Sequence, residues 1–195
     1  MAEREFRWYV FGAQAAIIWG SPRLSADVDV TAAIDLEKVG DFIKAMRRRG
    51  FELTIDDSDF VARTRVVPFI HRASGMPLDV VLAGRGLEEE FLGRAVLVDV
   101  DGALIPVIAP EDLIITKILA ARPKDIEDVR SVIHERGGSL DEERIRDILA
   151  LLEQALGQSD LLPAFEKEWR NYQREGITAK KAKRPGKPKR RPRRR

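Results

Sequence analysis

The hydrophobic positions along the chain change their spacing near residue 110. Before that point, short apolar or alternating runs are separated by turn residues, which is typical of β-strands. After it, apolar residues recur every three or four positions, which predicts α-helices. The predicted strands cover residues 6–11, 27–34, 51–55, 60–70, 78–82, 96–100 and 103–108.

Two helices are predicted among these strands. The first is short, begins at Gly12 and ends near Gly20, and the second covers 36–49 with Asp35 as its N-cap. Asp101-Gly102, between the last two strands, is a strong hairpin signal. Because this hairpin is antiparallel while helices separate other strands, we expect a mixed sheet.

Four more helices are predicted after Pro110. The second of them begins at Pro123, since proline suits the first turn of a helix. The third covers about 141–156 and the fourth about 161–174. The predicted fold class is α+β, a mixed β-sheet flanked by helices. Its predicted parts are an α/β core at 1–109, a helical segment at 110–175 and a basic tail at 176–195.

Charge is distributed unevenly along the 195 residues, which include 34 Lys or Arg and 32 Asp or Glu. Eleven of the basic residues and none of the acidic ones lie at 176–195, so residues 1–175 have nine more acidic than basic residues. The tail is rich in proline and poor in apolar residues, so we expect it to be disordered. Such a tail would bind nucleic-acid phosphates without sequence preference; a purely solubilising role is the alternative.

The composition excludes several classes of site and location. There is no cysteine, which rules out disulfides, thiolate catalysis and cysteine-bound zinc. With only His71 and His134 available, a histidine-based metal site is not expected. No apolar run approaches the roughly 20 residues that span a membrane. We therefore expect a cytoplasmic protein without a membrane partner.

The segment from Gly20 to Val30 has the most informative chemistry. Asp27 and Asp29 are two residues apart, so on a strand their side chains point to one face. Mg²⁺ in proteins is usually held by one or two carboxylates together with substrate phosphates. Gly20-Ser21 forms a turn whose N–H groups are predicted to contact those phosphates. The alternative is a solvated acidic edge of a strand.

Asp79 is a further acid, and it interrupts an otherwise apolar strand. A charge there is costly unless it has a partner or a function. If its strand lies beside that of Asp27, three carboxylates would share two metal ions, an arrangement that serves phosphoryl transfer. The alternative is an acid at a strand end that is bound to backbone amides.

Lys117 lies among apolar residues of a predicted helix. A lysine so placed either extends outward or meets an anion such as a triphosphate. Asp125 and Asp128 are three residues apart and share a helix face, so they could hold Lys117 or Arg122 in position. An ordinary surface ion-pair cluster is the alternative.

These motifs, taken in order, resemble the minimal nucleotidyltransferases of the polymerase-β superfamily, in particular the AbiEii-type branch. The resemblance covers about residues 6–135. It implies a nucleotidyltransferase-like fold with Asp27 and Asp29 as metal ligands, and it places Asp79 at the position of a third acid that is taken as the base for the incoming hydroxyl. It further implies that Lys117 and Asp125 complete the catalytic site. The substrate contacts that it implies are Gly20, Ser21, Arg23, Ser25 and Lys117.

The predicted function is transfer of a nucleoside monophosphate from an NTP to a hydroxyl acceptor, with two Mg²⁺ ions as cofactors. The tail favours RNA as acceptor. The AbiEii-type resemblance implies a toxin that modifies tRNA and has a cognate antitoxin as partner. The alternatives are an antibiotic-type nucleotidyltransferase with a small-molecule acceptor, and a non-catalytic RNA-binding relative of the fold.

Overall fold

A computed structural model describes residues 6–182 of the chain. Within this range, seven strands form one mixed sheet in the order β3-β4-β5-β2-β1-β7-β6. The strands are β1 (Trp8–Phe11), β2 (Val28–Ala32), β3 (Phe51–Leu53), β4 (Val66–His71), β5 (Pro77–Leu82), β6 (Val96–Val100) and β7 (Ala103–Val107). The helices are α1 (Gly12–Trp19), α2 (Val39–Arg48), α3 (Ser58–Thr64), α4 (Leu87–Arg94), α5 (Pro110–Ala120), α6 (Pro123–Arg136), α7 (Glu142–Leu156) and α8 (Leu161–Ala182).

The centre of the sheet places β2 between β1 and β5. β2 is antiparallel to β1 and parallel to β5, and its register sets Asp29 opposite Asp79. This confirms the α+β class with a mixed sheet, and it brings the strands of the predicted acids side by side.

The two faces of the sheet carry separate hydrophobic cores. Tyr9 packs with residues of α1 and α5–α8, whereas the next residue, Val10, packs with α2, α3 and the neighbouring strands. Val30 and Val80 belong to this second core. Because strand side chains alternate between faces, Asp29 and Asp79 point to the other face, where α1, α5 and α6 lie.

The prediction of a strand over residues 60–70 is wrong in its first half. Residues 58–64 form α3, and β4 begins only at Val66. The carboxylate of Asp57 accepts the N–H of Asp59 at 2.9 Å and caps this helix. Arg65 ends it in the left-handed region, with φ of 56°. The apolar residues of this segment suit either a helix or a strand, and these local capping interactions favour the helix.

One helix was not predicted, and another begins differently from its prediction. The sequence analysis did not anticipate α4, which follows Gly86 and has three glutamates in its first turn, where they interact favourably with the helix dipole. Before α2, a short 3-10 turn occupies Leu36–Lys38, and the Asp35 carboxylate binds Lys38 Nζ at 2.9 Å instead of capping the backbone.

The C-terminal helix α8 continues to Ala182, beyond its predicted end near residue 174. The predicted basic tail therefore begins within a helix, and its part at 183–195 lies outside the described residues. None of the helices in the described range is long and apolar enough to cross a membrane.

Candidate active site

Three aspartates lie together at the start of the central parallel strands. Asp29 is on β2, Asp79 is its neighbour on β5, and Asp27 immediately precedes β2. Asp27 is exposed, while Asp29 and Asp79 are partly buried. The fold thus brings together the three acids that the sequence analysis assigned as metal ligands.

The Asp29 carboxylate lies against the start of α1. It accepts the backbone N–H of Ala13. Gly12 has φ of +63°, and a Cβ at that position would overlap Asp29 Oδ2. Gly12 therefore provides both the unusual backbone conformation and the space that the carboxylate occupies. No role in the site was predicted for Gly12.

The three acids repel one another through space. Burial, followed by the charges of Asp27 and Asp79, raises the pKa of Asp29. Burial and the charge of Asp27 also raise the pKa of Asp79. None of the three forms a salt bridge with a described residue.

The acids do not form a closed set of metal ligands. No group of three or more carboxylate or imidazole side chains between residues 6 and 182 is arranged to hold a metal ion. Instead, Ser25 Oγ binds Asp27 Oδ1 at 2.9 Å, and Ala13 holds Asp29. These contacts hold Asp27 and Asp29 separately, and the sharing of metal ions by the three acids stays a prediction.

A network of charged side chains lies on the helical side of these acids. Lys117 Nζ, on α5, donates to Asp125 Oδ1 at 2.9 Å and to Asp128 Oδ2 at 2.8 Å on α6. Arg122 donates to Asp125 from Nε at 2.5 Å and from Nη2 at 3.2 Å. Burial opposes ionisation of Asp125, but hydrogen bonds from Arg122 and Lys117 dominate and lower its pKa.

The position of Lys117 differs from that of a freely accessible phosphate ligand. Its side chain is 8% exposed, and its ammonium is shared by two carboxylates. The Arg122 side chain is 60% exposed, and the charge of Asp29 is one of the causes that raise its pKa. Arg122 is therefore a more accessible cation beside the acids than Lys117, although the sequence indicated it only as a partner of Asp125 or Asp128.

The loop between α1 and β2 is fastened to α6. Arg23 donates to both carboxylate oxygens of Asp128, from Nε at 2.8 Å and from Nη2 at 2.9 Å. The N–H of Ser21 donates to Ser131 Oγ at 2.6 Å, and the N–H of Gly20 donates to Ala16 O at 2.8 Å. The amides that were predicted to contact phosphate, and the Arg23 guanidinium, are thus engaged within the protein.

The α6 residues of the charge network and of these loop contacts follow a regular spacing. Asp125, Asp128 and Ser131 are three residues apart, so they share one helix face. The spacing of the two aspartates predicted this face, but no prediction included Ser131. Arg23, the partner of Asp128, lies about a hundred residues earlier, and no local pattern indicates that contact.

Two cavities are lined by polar residues away from the acids. One, of about 550 Å³, lies between α6 and α8 and includes Ser21, Ser131 and Tyr172. Another, of about 620 Å³, adjoins Ala33 and Ala83, just beyond the other ends of β2 and β5. Neither includes any of the three acids, so the candidate active site is identified by its chemistry rather than by the volume of a cavity.

Comparisons with known proteins bear on the class of enzyme and on the fold. A family profile described as "Nucleotidyl transferase of unknown function (DUF2204)" matches residues 83–158, which is less than half of the chain. No curated protein matches the sequence significantly.

Several solved structures have a similar fold. The crystal structure of ANT(2")-Ia in complex with adenylyl-2"-tobramycin is 16% identical, with a TM-score of 0.51, and the alignment covers 86% of this chain and 91% of that one. An antigenic nucleotidyltransferase-like protein from Paracoccidioides brasiliensis is 16% identical, with a TM-score of 0.50 and coverages of 83% and 84%. MenT4, a nucleotidyltransferase toxin from Mycobacterium tuberculosis H37Rv, is 21% identical with coverages of 72% and 53%, but its TM-score of 0.43 is too low to inform function.

The solved structures identify the fold, and the family description supplies the class of enzyme. The predicted class is thereby confirmed, whereas the AbiEii-type assignment is not. The chain has the fold of nucleotidyltransferases, and over residues 83–158 it is similar to a family of nucleotidyl transferase enzymes.

Proposed function

We propose that this chain transfers a nucleoside monophosphate from an NTP to a hydroxyl group of RNA, with Mg²⁺ bound by Asp27, Asp29 and Asp79. The observation that carries the proposal is the different pairing of the aspartates. Asp125 and Asp128 are neutralised by cationic side chains, whereas the other three have no salt bridge within the described residues.

The donor atoms at the acids suit magnesium. All three side chains offer carboxylate oxygens, the ligands that hard divalent cations prefer. Burial and then the charges of the neighbouring acids raise the pKa of Asp29 and of Asp79, and a bound cation would offset the part due to repulsion. Magnesium, when bound, offsets negative charge on the triphosphate and on the attacking and leaving oxygens.

The protein's own groups have separate proposed roles around the phosphates. Asp79, partly buried and with a raised pKa, accepts the proton of the acceptor hydroxyl. Arg122, the exposed cation beside Asp29, stabilises the charge that develops on the leaving pyrophosphate. Lys117 holds Asp125 and Asp128 in place from within α5. Its predicted direct contact with phosphate, like the catalytic role of Asp125, stays a prediction.

The proposed acceptor is RNA because of the composition of the C-terminal segment. Eleven cations at 176–195 would bind phosphates through release of counterions. The rest of the chain has an excess of acids, which disfavours RNA elsewhere on the surface. A toxin role with tRNA as target and a cognate antitoxin remains a proposal from the sequence resemblance.

Transfer of radioactive label from each α-³²P-labelled NTP tests the function. Total RNA and a panel of small hydroxylated molecules, including aminoglycosides, serve as acceptors. The wild type is expected to label RNA in the presence of Mg²⁺, and the double variant Asp27→Asn/Asp29→Asn to lose at least about 100-fold of this rate. Removal of residues 183–195 should reduce RNA labelling and its dependence on salt.

Asp99→Asn/Asp101→Asn is the matched control, since it changes another Asp-x-Asp pair in the β6–β7 hairpin. It should retain full transfer activity. Labelling of an aminoglycoside but not of RNA would replace the proposed acceptor with a small molecule. Full activity of Asp27→Asn/Asp29→Asn would contradict the assigned site.

A further inference from the structure

We infer that Asp128 and Ser131 of α6 are positioning residues. Together they hold the 20–27 loop, through contacts that we call the clasp, and they thereby fix the position of Asp27. The inference rests on the proposed function, because the clasp matters for the nucleotide only if Asp27 binds its metal. Neither α6 residue has a proposed contact with substrate. They act through Arg23 and through the backbone of Ser21.

The clasp has two attachment points. Asp128 holds Arg23 through a bidentate ion pair with distances of 2.8 and 2.9 Å. One turn further along α6, Ser131 Oγ accepts the N–H of Ser21 at 2.6 Å. Gly20 permits this approach, because a Cβ there would come within 2.5 Å of Ser131 Oγ. A helix and a loop that are distant in sequence are thus joined at consecutive turns.

Asp128 is itself held firmly. Its carboxylate is 5% exposed and also accepts the Lys117 ammonium at 2.8 Å. The Arg23 side chain is 38% exposed, so the loop end of the ion pair lies nearer the solvent. The buried acid therefore serves as the fixed support and the loop arginine as the group that is fastened to it.

Further hydrogen bonds link the held part of the loop to Asp27. Between the clasp and the acid, Ser25 Oγ binds Asp27 Oδ1 at 2.9 Å, and Gln14 of α1 donates to Asp27 O at 3.2 Å. Leu24, by contrast, is 97% exposed and makes no packing contribution that could order the loop. The order of this loop therefore depends on polar attachments, of which two come from α6.

Hydrogen–deuterium exchange of the ligand-free protein tests the clasp. Ser131→Ala and Arg23→Met each remove one attachment without opening the hydrophobic core, and each should speed exchange of a peptide covering 21–27 by about tenfold. Ser139→Ala is the control for the serine, since among the described residues Ser139 Oγ donates only to the nearby Arg136 O. It should leave the loop unchanged.

The positioning role is tested by calorimetric binding of Mg²⁺ with a non-hydrolysable ATP analogue. Asp128→Asn should weaken binding by about tenfold or more, because hydrogen bonds to charged groups are strong. Asp112→Asn is the matched control: Asp112 is also buried and paired with arginines, but on the far side of α5 near α4 and α7. It should retain the wild-type affinity even if its melting temperature falls.

The outcomes separate the clasp from the proposed function. Unchanged loop exchange in both Ser131→Ala and Arg23→Met would overturn the inference, as would faster exchange in Ser131→Ala with unaltered nucleotide affinity. Ser131→Ala also provides the affinity test if Asp128→Asn does not fold. A wild type that binds no Mg²⁺–nucleotide would contradict the proposed function, while the exchange data would still decide whether the clasp exists.

Discussion

At the scale of single residues, Gly12 leaves room for the Asp29 carboxylate because it has no side chain. Its φ of +63° is costly for residues with a Cβ, and the Asp29 carboxylate fills the space where a Cβ would be. The composition of β1 and α1 predicts neither feature, because the carboxylate comes from β2. A Gly-to-Ala change at this position therefore tests both the backbone and the site.

Gly12→Ala is expected to lower the free energy of unfolding by about 1–3 kcal/mol, through backbone strain and displacement of Asp29. Urea denaturation measures this change, and Mn²⁺ binding should fall with it. Gly40→Ala is the matched control, because Gly40 lies within α2 and a Cβ there meets no atom within 4 Å. It should stabilise the protein by about 0.5–1 kcal/mol. A Gly12→Ala variant as stable as wild type would contradict this description.

At the scale of elements, α5 and α6 are joined by a buried charge. Lys117 is the shared donor to Asp125 and Asp128, and its removal would leave two carboxylates with incomplete partners. Breaking a buried pair costs far more than the pair contributes on balance, because an uncompensated charge remains. The pairing therefore makes the packing of α5 on α6 dependent on pH.

Lys117→Met is expected to reduce the free energy of unfolding at pH 7 by about 3–5 kcal/mol. Hydrogen bonds lower the pKa of Asp125 in the folded state despite its burial, so the stabilisation is present above its unfolded pKa, about 4, and is lost as the pH falls further. The difference between wild type and variant should therefore shrink in acid.

Chemical denaturation at pH 7 and at a series of pH values descending below 4 measures this effect. Lys44→Met is the control, since Lys44 pairs with Asp41 on the surface of α2, where both side chains are exposed. Such a pair contributes little, so we expect no measurable change. An equal loss for both lysine variants, or a loss independent of pH, would show that Lys117 does not have the proposed structural role.

Local signals in the sequence were sufficient for some elements and not for others. The Asp101-Gly102 hairpin was predicted because both residues adopt positive φ within the turn itself. The strand interpretation of residues 60–64 failed because apolar spacing there does not distinguish a short helix from a strand. The pairing of Arg23 with Asp128 depends on tertiary structure, and no periodicity of either segment predicts it.

At the scale of the whole molecule, the sheet and the helical segment contribute opposite halves of the candidate site. The sheet supplies the acids Asp27, Asp29 and Asp79, which have no salt bridge within the described residues, and α5 and α6 supply the charge network beside them. The two sets of charged residues lie next to each other because β2 pairs in parallel with β5 and because α1 packs on α6. The sequence alone indicated each set but not the distance between them.

The most direct test of this account is the binding of Mn²⁺ by water-proton relaxation, in the presence of each non-hydrolysable nucleoside triphosphate. We predict that the wild type and Asp99→Asn/Asp101→Asn bind Mn²⁺ with nucleotide equally well. Asp27→Asn/Asp29→Asn should fold, since the change relieves repulsion at Asp29, and should lose this binding. Undiminished Mn²⁺ binding by Asp27→Asn/Asp29→Asn would contradict the account.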